Sequence, residues 1–203
     1  PYWYGDEGIY LTIVQAMRKG VELYKGIHDN KPPFLYLVAS VAQDQFLFRL
    51  TTAGWSLATI WVFAKLAKNW WKYGKAAVWT TVVFGLLTSL PFIEGNVANA
   101  ELYFLLLTVL AFGIVFRSKN HKMIWVGGMV YGLAALFKIP AGLEAGIWPV
   151  WWLITKERGW FRKSLALGAG VALPLAVSVG FFAWRGTLPT YLIAAGIQNV
   201  PYL

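Results

Sequence analysis

The run MIWVGGMVYGLAALFKIPAGLEAGIWPVWWLIT, residues 123–155, decides how this chain is read. As one straight helix it would extend about 50 Å at 1.5 Å per residue, whereas a hydrocarbon core of ~30 Å asks for ~20 helical residues. It is too long for one crossing and short for two. Lys138, Ile139, Pro140, Ala141, Gly142 and Glu144 interrupt it, so the run is expected to be a helical hairpin of two short or tilted arms, 123–138 and 141–155. Four other apolar segments flank it, at 50–67, 75–93, 99–116 and 164–184. The fold class expected is therefore all-α, a polytopic transmembrane bundle of six spans over 50–184.

Composition agrees with that reading. Of 203 residues 58% are hydrophobic and only 13% charged, about half the share of a soluble domain. No cysteine is present, which excludes disulfides, thiol nucleophiles and Cys-ligated metal centres. The formal charge of +9 is not a nucleic-acid face, because its basic residues are sorted between the apolar runs. No nucleic-acid partner is expected.

Three clusters lie between spans: Lys65, Lys68, Lys72 and Lys75; Arg117, Lys119 and Lys122; Lys156, Arg158, Arg162 and Lys163. They hold 11 of the 18 basic residues and, among acids, only Glu157. The positive-inside rule makes all three loops cytoplasmic. Residues 1–49, the 91–99 linker, the 138–146 hairpin tip and the segment 185–203 then face outward, the last as the start of a further outer loop. All the other acids, Asp6, Glu7, Glu22, Asp29, Asp44, Glu94, Glu101 and Glu144, fall on that side. Chemistry done by carboxylates is expected there.

Two amphipathic helices are expected on the outer face. In 7–19, Ile9, Tyr10, Ile13, Val14 and Met17 repeat near the helical period and Gly20 ends the helix. In 34–48, FLYLVASVAQDQFLF, the polar Gln43, Asp44 and Gln45 and the short length favour an interfacial helix begun by Pro32 and Pro33. The chain opens at Pro1 with neither a start methionine nor a signal-peptide pattern, so an earlier span is expected upstream.

Each candidate site residue carries a structural reading beside a chemical one. Asp6 is an N-cap or a base for an incoming hydroxyl, and Glu7 a solvated or first-turn partner, supporting or acceptor-orienting like His28, rather than a second base. Glu101 suits a helix N-terminus, yet a carboxylate at the lip of an apolar helix also suits a polar cavity. Glu94 and Asn99 either make the turn or orient hydroxyls with Glu101. Lys31 anchors an interfacial helix or meets a phosphate, with Arg49, Lys138 and Arg185 as helpers. His28 is a loop residue whose isolation argues weakly for a metal. Together they would suit an anionic head on a long hydrocarbon tail.

These motifs resemble the membrane glycosyltransferases of the GT-C fold, in the group of protein O-mannosyltransferases and lipid A aminoarabinose transferases. The resemblance lies in Asp6-Glu7 and its helix, Lys31-Pro32-Pro33, Arg49 opening the next span, Asn99-Ala100-Glu101-Leu102 and Phe137-Lys138. It covers nearly all of this chain and the N-terminal half or less of a typical family member. It implies a polyprenyl-phosphate sugar as donor, a protein or glycolipid acceptor, and a site on the periplasmic or extracellular face of a bacterial inner or plasma membrane. By this resemblance Asp6 is a base or, in some members, part of a divalent-metal site. Glu101 stands where relatives often have aspartate, and Mg²⁺ or Mn²⁺ would fall to Asp6 and Glu101. Lys31 and Lys138 match positions near the lipid phosphate. The rival readings are a transporter or flippase of lipid-linked sugar, which would place ionisable residues near the membrane midplane, and a non-catalytic structural subunit.

Overall fold

A computed structural model describes residues 5–42, 44–71 and 74–202. Gln43 and Lys72, named above in the interfacial helix and the first basic cluster, lie outside the described residues. Among those described there is no strand. The helices in chain order are α1 Gly5–Arg18, α2 Phe34–Ala42, α3 Gln45–Trp70, α4 Gly74–Ser89, α5 Ala100–Arg117, α6 His121–Ala135, α7 Ile139–Leu143, α8 Ile147–Ile154, α9 Trp160–Trp184 and α10 Leu188–Ala195. Short 3₁₀ turns occupy Pro91–Ile93, Glu144–Gly146 and Ile197–Tyr202.

Local chemistry places the boundaries. The Leu47 amide donates to Asp44 Oδ1 at 2.8 Å, an N-cap that starts α3 five residues before the expected span. The stretch 34–48 is thus two helices, and Gln45–Phe48 belongs to the longer one. Asn120 caps α6 in the same way, accepting from the Lys122 amide at 2.9 Å. The 123–155 run is broken where expected: α6 stops at Ala135 and Pro140 opens α7.

Three helices, α3, α5 and α9, are long and apolar enough to cross a membrane. The other expected spans fall on α4 with 16 residues, α6 with 15 and the α7–α8 pair; 16 residues rise only about 24 Å. Leu57, Trp61, Trp79, Leu86, Ile154, Val177 and Trp184 are large, apolar and exposed, a surface suited to lipid.

Side-chain contacts order the bundle from end to end. Thr52 and Trp55 meet Tyr103, while Trp70 meets Phe112 and Phe116, so α3 and α5 run in the same direction. Val115 faces Gly127, and Leu167 and Val171 face Gly128 and Gly132; α6 returns against α5, and α9 runs with α6. The ends holding Lys65, Lys68, Arg117, Lys122, Arg162 and Lys163 therefore gather at one extreme of the bundle, with the starts of α3 and α5 at the other. This is the sorting expected from charge.

The closest helix contact lies between α6 and α9. A Cβ added at Gly128 would stand 2.2 Å from the Leu167 carbonyl oxygen, and one at Gly170 would stand 2.2 Å from that of Trp125. Gly168, one position off this face, has open space around it. Gly128→Val should therefore destabilise the chain by about 1–3 kcal/mol through forced separation of the backbones. Gly168→Ala should not lower stability; the check is the thermal unfolding midpoint of both variants in detergent micelles.

Candidate functional site

The outer segment is fastened to the bundle by a buried carboxylate. Glu7, on the first turn of α1, is wholly buried. Arg49 Nε donates to its Oε2 at 2.9 Å and Oε1 at 3.1 Å, and Arg49 Nη2 lies 2.9 Å from Oε2. Gln45 Nε2 donates at 3.0 Å and the Ala98 amide at 2.9 Å. One carboxylate thus joins α1, the start of α3 and the linker before α5. Glu7 is not the solvated partner expected: α1 packs with that face inward and buries it. Arg49, expected to help with phosphate, is engaged by Glu7 with its side chain 44% exposed.

Beside this anchor Tyr10 is buried one turn after Asp6, and its hydroxyl donates to Asp6 Oδ2 at 3.1 Å. Burial pushes the Tyr10 hydroxyl far above its ordinary pKa, and the charge of Asp6, the hydrogen bond to it, and the charges of Asp29 and Glu101 push it further. Tyr10 is thus bonded to Asp6 and lies within the field of acids from two other segments. Asp6 is exposed and Asp29 half-buried. Tyr36 on α2 lies edge-on to Tyr10, ring centroids 6.1 Å apart. Its hydroxyl is buried with no hydrogen-bond partner, the Lys31 backbone lying toward it without completing a bond.

The two lysines come to the same end. The Phe34 amide donates to the Leu136 carbonyl at 3.1 Å, and Phe34 meets Phe137 edge-on at 5.6 Å. This seats the Lys31-Pro32-Pro33 turn against the break before α7. Lys138 forms an ion pair with Glu101. Lys31 Nζ donates to Asn30 Oδ1 at 2.9 Å, and its loop is clamped on both sides. The Tyr24 hydroxyl donates to the Lys31 carbonyl at 2.7 Å, and Asn199 Nδ2 to the Asn30 carbonyl at 2.7 Å. Tyr24 itself, at φ 63°, packs on Phe182 and Tyr191. The segment after 185 is thus a helical brace for the lysine loop, and Arg185 lies 3.4 Å from Glu22.

Asp6, Lys31, Glu101 and Lys138 accordingly share one end of the molecule, opposite the basic loops. The remaining candidates do something else. Asn99 caps α5, accepting weakly from the Leu102 amide at 3.4 Å, and donates to Glu94 Oε2 at 3.2 Å; the pair braces its own loop. His28 is exposed and lines an open groove of about 380 Å³ with Gly5, Gly8, Ile9 and Thr12. Tyr10, Asp29 and Tyr36 were absent from the expected site. Asp29 stands two residues before Lys31, the one hint in the sequence.

Searches of protein-family models, curated proteins and solved structures find nothing that matches the chain.

A divalent cation fits these residues poorly. Among the described residues no three His, Asp or Glu side chains come together as ligands, and Glu101 is held by the Lys138 ammonium.

Burial raises the Glu7 pKa, but hydrogen bonds from Arg49, the Ala98 amide and Gln45, with the Arg49 charge, bring it below the ordinary carboxylate value of 4.5. A carboxyl depressed on folding contributes stability that is present above the unfolded pKa and lost as pH falls through the folded one. The wild-type chain should lose stability progressively as pH is lowered below about 4.5. Glu7→Gln should cost about 1.5–3 kcal/mol at pH 7 and flatten that acid limb, read from urea unfolding in micelles at a series of pH values.

Proposed function

We propose that the chain belongs to a membrane glycosyltransferase moving a sugar from a polyprenyl phosphate to a protein or glycolipid acceptor on the non-cytoplasmic face. The observation that carries this reading is the gathering of the Asp6–Tyr10 pair, the Lys31 turn and the Lys138–Glu101 ion pair at one end of the bundle. The resemblance of the Asp6-Glu7, Lys31-Pro32-Pro33 and Phe137-Lys138 motifs to GT-C enzymes gives that set its chemistry.

In this reaction Asp6 takes the proton of an acceptor hydroxyl or amine as its oxygen or nitrogen attacks the anomeric carbon. The bond from that carbon to the phosphate oxygen breaks with inversion, and its electron pair leaves with the lipid phosphate. Lys31 and Lys138 stabilise the negative charge that grows there. An ammonium has three N–H donors, so Lys138 keeps Glu101 while presenting the others to phosphate. Tyr10 holds Asp6 in place, and Glu7 with Arg49 keeps α1 against the bundle.

One observation favours the transport reading instead. Glu144 lies beside Thr108, near the middle of α5, where a transporter would hold an ionisable group.

The test is an assay of the complete enzyme in membranes, with a polyprenyl-phosphate sugar labelled in the sugar and release of polyprenyl phosphate followed in parallel. Asp6→Asn should leave folding and donor binding intact and lower turnover by about 10²–10⁴-fold. Lys31→Ala should mainly raise the donor KM. Equal turnover in wild type and Asp6→Asn would remove the assigned base. Movement of the labelled donor between leaflets with no transfer would favour transport.

A further inference from the structure

Glu144 was expected at the outer hairpin tip with Lys138, and the structure sets the two apart along α5. Lys138 pairs with Glu101 at the start of α5. From that point α7 folds back along α6, with Gly142 against Ala135 and Tyr131, and the Glu144 carboxylate lies beside the Thr108 hydroxyl. Thr108 is eight residues past the start of α5, about 12 Å along its axis. The carboxylate faces an open groove of about 270 Å³. Phe63 and Trp70 line it from α3, Phe112 and Thr108 from α5, and Tyr131 from α6. Phe63, Leu66 and Trp70 follow helical spacing, as do Leu105, Thr108 and Phe112, so the groove is the seam where these two faces part.

Glu144 has no ion pair among the described residues. Glu144 is exposed on the protein surface, and a bare carboxylate that faces hydrocarbon there requires a counter-charge or a proton. A metal ion suits the place badly. Its oxygen donors are the Glu144 carboxylate and the hydroxyls of Thr108 and Tyr131, against the six to eight that Ca²⁺ takes and the near-ideal octahedron Mg²⁺ demands. Moreover Thr108 donates to the Leu105 carbonyl at 3.2 Å and Tyr131 accepts from Trp148 Nε1 at 3.2 Å. What the groove does offer is one anionic group among aromatic rings, whose faces attract organic cations, and apolar walls for a hydrocarbon body.

We propose that this groove is a binding site for a membrane-soluble protonated amine, a lipophilic ammonium ion with Glu144 as its counter-ion. The site depends on none of the residues assigned to sugar transfer and stands or falls apart from them.

The test uses the full chain in lipid nanodiscs with dodecylamine as probe, dodecanol as its uncharged match and empty nanodiscs as the partitioning control. Dodecylamine should bind saturably at pH 7, and dodecanol should not. Glu144→Gln, which keeps the side-chain shape, should weaken amine binding about tenfold or more, equivalent to about 1.4 kcal/mol. The hydrophobic reagent dicyclohexylcarbodiimide adds to a membrane carboxyl as an N-acylurea; peptide mass spectrometry should locate that adduct on Glu144, and dodecylamine should slow its formation. Equal amine affinity in wild type and a normally folded Glu144→Gln would overturn the proposal. So would labelling of Glu144 that saturating dodecylamine leaves unchanged, which would mean a carboxyl neutralised by a proton or by a basic side chain of another helix. The labelling arm uses the wild-type chain alone, so it decides the matter even if the variant does not fold.

Discussion

The molecule depends on neutralising Glu7. A carboxylate removed from water is tolerated only when charge and hydrogen bonds replace hydration, and here Arg49, Gln45 and the Ala98 amide supply both. Because those donors come from α3 and from the linker before α5, satisfying one side chain fixes the position of α1. Asp6 is its chain neighbour and Tyr10 lies three residues on, so the orientation of the candidate site is inherited from a residue that does not face it. The apolar stripe of Tyr10, Leu11 and Val14 sets the same rotation of α1, and the ion pair fixes it to α3.

Aromatic rings complete what the ion pair begins. Phe137 stacks on Tyr103 at 5.7 Å and contacts Trp55 and Phe34, so the break after α6 is packed against α2, α3 and α5 at once. That contact brings the Lys31 turn and Lys138 to the same end, although 107 positions separate them in the chain. On the opposite side Tyr24, Phe182 and Tyr191 join the lysine loop to α9 and α10. The candidate site is thus built from loops and helix ends, and the rigid layer beneath it is aromatic.

Much of the fold was legible without coordinates. Alternation of apolar runs with basic clusters gave the helices and their direction, because lysine and arginine at helix ends mark a side whatever the packing. Asp6, Lys31, Glu101 and Lys138 could be grouped for the same reason. Tyr10 and Tyr36 escaped notice because a tyrosine on an amphipathic helix reads as core, and its hydroxyl acquires meaning only through neighbours from other segments. Glu7 was misread because its charge suggested solvent, although it stands three, four and seven residues before Tyr10, Leu11 and Val14, on the buried stripe of α1. Glu144 was misplaced because a Pro-Gly break signals that a helix stops, without saying that the next one turns back into the bundle.

The helical class, the sorting of basic residues to one end of the bundle and the break at residues 136–140 belong to the sequence itself, since they follow from hydrocarbon length, charge placement and proline's missing N–H, which are local properties. Which acids are buried, which cations they hold and how deep Glu144 lies were decided by tertiary structure. Those are questions of dielectric and distance between segments far apart in the chain, and no local pattern encodes them.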